Sequence, residues 1–305
     1  MNVLIIGGTG FVGSILTDRL LQDAHEVSLL IRNEHDARTV MRGASLIQGE
    51  PTVPGPWQQM IRNYDVIINL AGASIFSRWT PQQKRAIRES RVCTTRNIVE
   101  ALEARPSQSV TLLSASAVGY YGFHGDEELT EEAPPGADFL ATVAREWEEE
   151  ALKARQKGAR VCITRFGIVL GKNGGALSQM IPLFKKCVGG PIGSGKQWFS
   201  WVHAADLAET FSFLLQHPEL SGAFNVCSPK PVRNSDLSKA LGKALHRPSF
   251  MPAPGFMVRW VLGEFGSVLL NGQRVIPMRL MDSGFIFKYQ EINEALVELV
   301  MPLLK

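Results

Sequence analysis

The densest chemistry in this 305-residue chain lies near its start, in Gly7-Gly8-Thr9-Gly10-Phe11-Val12-Gly13. The run follows a short apolar stretch, Asn2–Ile6 (NVLII). It opens a segment, Phe11–Leu21, whose apolar residues recur at helical spacing. Glycines between a strand and a helix let the backbone approach a pyrophosphate, whose charge then rests on free N–H groups at the helix N-terminus. Gly7, Gly10 and Gly13 have the spacing G-x-x-G-x-x-G. A dinucleotide cradle built from Gly7, Thr9, Gly10, Phe11, Val12 and Gly13 is expected, in preference to a tight turn without ligand. A second apolar run, Glu26–Ile31, ends at Arg32. An acidic residue there would accept hydrogen bonds from an adenosine ribose 2′-hydroxyl, whereas a cation pairs with a 2′-phosphate. Arg32 therefore points to NADP(H), with Arg38 as a helper, against the plainer reading of a solvated arginine at a strand end. Leu70-Ala71-Gly72 closes a later strand with small residues, where ribose and pyrophosphate must pass.

These groups need a scaffold, and the first 170 residues describe one. The apolar runs Asn2–Ile6, Glu26–Ile31, Ser45–Gln48, Asp65–Leu70, Val110–Ser114 and Arg160–Phe166 read as strands. Helical patterns fall at Phe11–Leu21, Pro81–Ala104 and Asp138–Gln156. Strands apolar on both faces and mostly separated by helices imply a parallel sheet covered on both sides, an α/β doubly wound (Rossmann) fold. After Gly167 the rhythm changes. Residues 171–200 are glycine-rich and read as loop or short strand; Ala204–Gln216 (helix) and Ala223–Cys227 (strand) return to the sheet. The expected division is 1–170 with 204–228 as the nucleotide-binding domain, and 171–203 with 229–305 as a small substrate lobe.

Composition sets outer limits. Lys plus Arg number 32 and Asp plus Glu 29, a net charge of +3. So slight and evenly spread a balance gives no reason to expect nucleic acid or an anionic membrane as partner. No apolar stretch approaches the roughly 18 residues of a membrane helix, and nothing at the N-terminus resembles an export signal, so a cytoplasmic location is expected. Cys93, Cys162, Cys187 and Cys227 lie far apart and read as buried free thiols. The histidines are scattered, and no metal site is expected.

Asn69-Leu70-Ala71-Gly72, Ser114-Ala115-Ser116, Arg165-Phe166-Gly167-Ile168-Val169-Leu170-Gly171 and Trp201-Val202-His203-Ala204-Ala205-Asp206, with the glycine motif, resemble the extended short-chain dehydrogenase/reductases, the group of the nucleotide-sugar epimerases. Arg78-Trp79-Thr80, Ser90-Arg91, Gly119-Tyr120-Tyr121-Gly122, Gly189–Gly195, Pro231-Val232-Arg233-Asn234 and His246-Arg247-Pro248 resemble an atypical branch of it, the "epimerase family" proteins, whose substrate is undefined. The resemblance runs from Asn2 to about Leu299. It implies a Rossmann domain, a C-terminal substrate lobe, NADP(H) binding, a cofactor contact from Arg91, a cofactor role for Ser114 and an active-site serine at Ser116. Arg165, at the sheet's carboxyl edge, is expected to meet a ligand phosphate or an internal carboxylate.

The reaction of that group needs a tyrosine acid/base and a lysine four residues on that lowers its pKa. With the register anchored on Glu148, those positions fall at Leu140 and Ala144. A leucine cannot move a proton. Ser116 remains, with Tyr121 and then Tyr120 as substitute acids, although a packed tyrosine that merely satisfies its hydroxyl is the more ordinary explanation. Two decoys are set aside. Gly190–Gln197 lacks the hydroxyl of a P-loop, and Ser200, His203 and Asp206 lead into a helix without a nucleophile elbow. The expected function is an NADP(H)-dependent oxidoreductase or epimerase acting on a small molecule. The arginines of the lobe (Arg233, Arg247) point to an anionic substrate, of which a nucleotide-sugar-like molecule is one kind among others. The alternative is a catalytically silent NADP(H) sensor.

Overall fold

The computed structural model describes residues 1–33, 43–102, 110–172 and 174–301. The strands are β1 (Asn2–Ile6), β2 (Glu26–Ile31), β3 (Ser45–Gln48), β4 (Val66–Asn69), β5 (Thr111–Ala117), β6 (Glu128–Leu129), β7 (Arg160–Phe166), β8 (Ile168–Gly171), β9 (Trp198–Phe199), β10 (Trp201–His203), β11 (Gly222–Val226), β12 (Val232–Arg233) and β13 (Arg274–Val275). The helices are α1 (Phe11–Gln22), α2 (Pro81–Ala101), α3 (Phe139–Leu152), α4 (Gly175–Lys185), α5 (Ala204–Gln216), α6 (Asn234–Leu245), α7 (Gly255–Leu262), α8 (Glu264–Leu270), α9 (Met278–Asp282) and α10 (Ile292–Val300).

Seven strands form one sheet in the order β11-β7-β5-β4-β1-β2-β3, and every pairing in it is parallel. This is the doubly wound Rossmann arrangement. Alternate residues of each strand feed opposite cores, which is why the strands read as unbroken apolar runs. Val3 and Ile5 join Leu16 and Leu20 of α1 and Leu207 and Phe211 of α5. Leu4 and Ile6 join Ile98 of α2 and Ala151 of α3. A further core lies under the C-terminal part, where Leu170, Leu177, Trp201, Leu237 and Leu296 pack together.

Two expectations change. The glycine-rich stretch from 171 holds a helix, α4, because Leu177 and Phe184 bury on one face; the flanking glycines conceal that spacing. The cysteines are not uniformly buried: Cys162 and Cys227 are, Cys93 is half-buried and Cys187 is exposed. No described helix is long and apolar enough to cross a membrane.

Candidate functional site

The glycine motif turns the chain from β1 into α1. Gly7 has φ +85°, and a Cβ there would lie 2.9 Å from the carbonyl carbon of Leu70, so only glycine fits between the ends of β1 and β4. Gly13 sits under the loop, where a Cβ would collide with the backbone of Gly7 and Gly8. Gly10 differs from both. It caps α1 with no side-chain hydrogen bond, and a Cβ there would meet only the Gly7 carbonyl oxygen, at 3.3 Å. The start of α1 is thus an open helix N-terminus. Phe11 turns its ring toward Gly171, Gly174 and Gly175, while Val12 packs on the sheet core and Thr9 is half-buried.

The end of β4 is fixed from below. Asn69 is fully buried; its Nδ2 donates to Thr95 Oγ1 at 2.8 Å and its Oδ1 accepts the Ala71 N–H at 3.2 Å. Gly72 then passes directly over Arg91, leaving 2.9 Å between a Cβ position and the guanidinium carbon. Arg91 donates to the carbonyls of Ala73 and Ile87 at 3.1 and 3.0 Å and lies over the Trp147 ring at 5.4 Å. Among the described residues no carboxylate pairs with it, and burial pushes its pKa down to about 10. A largely buried cation without a counter-ion, beside an open helix N-terminus, is a place for an anion. Arg32 follows β2, whose register pairs Leu30 with Ile6, so it lies just beyond the glycine turn. It is exposed and makes no ion pair among the described residues. Arg38 lies outside the described residues.

The other half of the expected site is closed on itself. Ser116 Oγ donates to Glu148 Oε1 at 2.6 Å. Arg165 grips the same carboxylate with Nε at 2.9 Å and Nη2 at 2.8 Å, and its Nη1 donates to the Tyr121 hydroxyl at 2.9 Å and to the Glu131 carbonyl at 3.3 Å. Tyr121 in turn donates to Asn225 Oδ1 at 2.7 Å. The Tyr120 ring carries the Arg165 guanidinium at 3.6 Å.

Four of the expected site residues lie enclosed within the protein. Of the two partners expected for Arg165, the structure supplies the internal carboxylate, and each of its nitrogens bonds within the protein. Ser116 is almost wholly buried, and its proton points to Glu148. Tyr121 is fully buried, and burial pushes its hydroxyl pKa well up against the smaller opposing pull of Arg165. Ser114 is likewise fully buried within β5, and its Oγ has no partner among the described residues. The structure does not bring it to the open edge. Leu140 and Ala144 stand on α3 two turns and one turn before Glu148, respectively, and Leu140 Cβ would lie 3.7 Å from a Cβ on Gly119.

Sequence reasoning used Glu148 only to set a register and missed Asn225 and Glu131. A buried arginine at a strand end was the one signal that could have led to Glu148. The decoy hydroxyl, imidazole and carboxylate are separately employed. Ser200 bonds the chain at Gln273 and Val275, His203 caps α5 through the Ala205 N–H, and Asp206 accepts from the amides of Lys288 and Tyr289.

Comparison with known proteins identifies the family. Residues 3–227 match the NAD dependent epimerase/dehydratase family. The chain belongs to that family. Residues 253–299 match a second family, described as a domain of unknown function (DUF1731). The chain is 40% identical over 298 residues to the chloroplastic epimerase family protein SDR39U1 homolog of Arabidopsis thaliana, covering 97% of this chain and 86% of that protein. It is 37% identical to the epimerase family protein YfhF of Bacillus subtilis, covering 98% of each. Among solved structures, human epimerase family protein SDR39U1, crystallised with NADPH, superimposes with a TM-score of 0.86 at 31% identity over 99% of each chain.

Proposed function

We propose that this epimerase-family chain binds NADP(H) at the open end of its sheet and does not carry out the tyrosine-dependent proton transfer typical of its fold. The buried, uncompensated guanidinium of Arg91 beside Gly72 carries the first half of this reading. With the free N-terminus of α1 it supports an anion at the pyrophosphate position, and the exposed Arg32 supports a 2′-phosphate. The NADPH in the human relative's crystal structure is of the same chemistry.

When bound, the cofactor supplies a hydride or accepts one. The chain's own residues orient it, exclude water along β4 and β5, and offer no proton at the Leu140 position. Ser116 and Tyr121 hold Glu148 and Arg165 in place instead. Turnover of ordinary secondary alcohols and nucleotide sugars is therefore expected to be absent or about 10²–10⁴-fold slower than with a positioned acid. The retained lobe favours a second reading, an oxidoreductase whose acceptor needs no proton from the protein. Fluorescence titration with NADPH and NADH, followed by a broad substrate screen, tests both. Tight NADPH binding without turnover is the expected result. Robust epimerase turnover lost in Tyr121→Phe would overturn it.

A further inference from the structure

The matched region of unknown function begins with a helical hairpin whose two sides differ sharply. α7 buries no residue: Phe256 is 75% and Trp260 80% exposed. Its neighbour α8 runs back against it after a turn at Gly263 (φ +60°) and closes in tightly, with the Gly266 Cβ position 2.7 Å from the Val258 carbonyl oxygen. The feet of the hairpin meet where a Cβ on Gly255 would lie 3.3 Å from Leu270. Outward from these feet, α8 reaches the nucleotide-binding half of the molecule. Phe265 is buried and its ring meets those of Phe76 and Trp79 at 5.9 and 5.7 Å. Trp79 meets Phe139, the first residue of α3, at 5.1 Å. Glu264 pairs with Lys84 of α2, and the Lys84 ammonium lies 4.7 Å from the Phe139 ring centre. At the tip, a Cβ on Gly263 would lie 3.5 Å from the Arg78 side chain.

Both landing points flank the candidate site. Residues 76–79 continue the segment that leaves β4 through Gly72 and Ala73, whose carbonyl receives Arg91. Phe139 directly precedes Leu140.

We propose that the α7–α8 hairpin is a strap that closes over the cofactor cleft, latched by Phe265 in the slot of Phe76 and Trp79 and by the Glu264–Lys84 pair. One aromatic side chain and one partly exposed ion pair hold its far end, while α7 contributes no buried side chain. The latch is therefore weak enough to release without unfolding either core. Its opening and closing gates entry and exit of the cofactor rather than contributing to its equilibrium affinity, so this inference rests on the NADP(H) reading above.

Stopped-flow measurement of NADPH association and release tests the strap. In Phe265→Ala both rate constants rise by about tenfold, the loss of one well-packed aromatic cluster, while their ratio stays nearly unchanged. Glu264→Lys, which opposes Lys84, also speeds both rates, and the exchanged pair Lys84→Glu with Glu264→Lys slows them again. Unchanged rates in both single variants, or a change in affinity alone, would overturn the strap. Hydrogen exchange of the cofactor-free protein separates this from the binding proposal. Phe265→Ala accelerates exchange at 76–79 together with 264–268 if the latch exists, whereas unaltered exchange at 76–79 overturns it. A wild-type chain that binds no NADPH overturns the cofactor reading, and the exchange experiment then decides the strap alone.

Discussion

Two ends of one sheet edge are built on opposite terms. Around β1 and β4 the chain leaves polar capacity unspent: a helix N-terminus capped by Gly10 with no side chain, Arg91 with no carboxylate among the described residues, and Arg32 in solvent. Around β5 and β7 most of the capacity, Ser114 Oγ apart, is used internally, in a buried chain from Ser116 through Glu148 and Arg165 to Tyr121 and Asn225. Arg91 invites a ligand because desolvating it without a counter-charge costs free energy that an anion offsets, and the exposed α1 N-terminus and Arg32 lie open beside it. A satisfied network invites nothing and rigidifies the strands it joins. The family's cofactor end is thus retained here, while Ser116, Tyr121 and Arg165 are tied into an internal network.

The comparison breaks most easily within the glycine loop itself. Gly13→Val drives a side chain into the backbone of Gly7 and Gly8, with no flexible neighbour to yield, and should cost at least about 3 kcal/mol or prevent folding. Gly10→Val meets only the Gly7 carbonyl oxygen, 3.3 Å from its Cβ position, and should lower the thermal midpoint far less while abolishing NADPH binding. Circular dichroism melts and fluorescence titration of the two variants read this directly. Equal destabilisation in both would remove the distinction between packing glycine and ligand glycine.

Glu148→Gln tests the network. It leaves Arg165 buried without its counter-charge and should cost about 3–5 kcal/mol, measured by urea denaturation. Replacing both partners with apolar residues should recover much of that loss. Tyr121→Phe is smaller. It leaves Asn225 and one Arg165 nitrogen short of a partner, at about 1–3 kcal/mol, and NADPH affinity should stay within about twofold. The smallest effect expected is at Arg32. Arg32→Ala should lower the NADPH-over-NADH preference by about tenfold, as befits one exposed charge-assisted contact, with stability unaltered.

What the sequence disclosed depended on how local the cause is. The glycine turn into α1 and the seven strands of the sheet were readable because their physics lies within a few neighbouring residues. Helix α4 was not, since Gly174 and Gly175 precede it and Pro182 falls inside it, so its buried stripe of Leu177 and Phe184 is short and interrupted. The roles of Ser116 and Tyr121 could not be read locally at all. Their partners lie 32 and 104 residues away, and a hydroxyl already bonded looks the same in sequence as one awaiting a substrate. Leu140 and Ala144 were readable as an absence; the network beside them was not.

Arg91 offers the most direct test of the contrast between an open and a closed end. Arg91→Met removes a desolvated cation while keeping much of the packing under Gly72 and against Trp147. If that charge is held for a ligand, the cofactor-free protein should be as stable as the parent or more so in denaturant titration, and the NADPH dissociation constant should rise by about tenfold or more. A variant that loses stability yet binds NADPH with unchanged affinity would show Arg91 to be a structural cation and contradict the account.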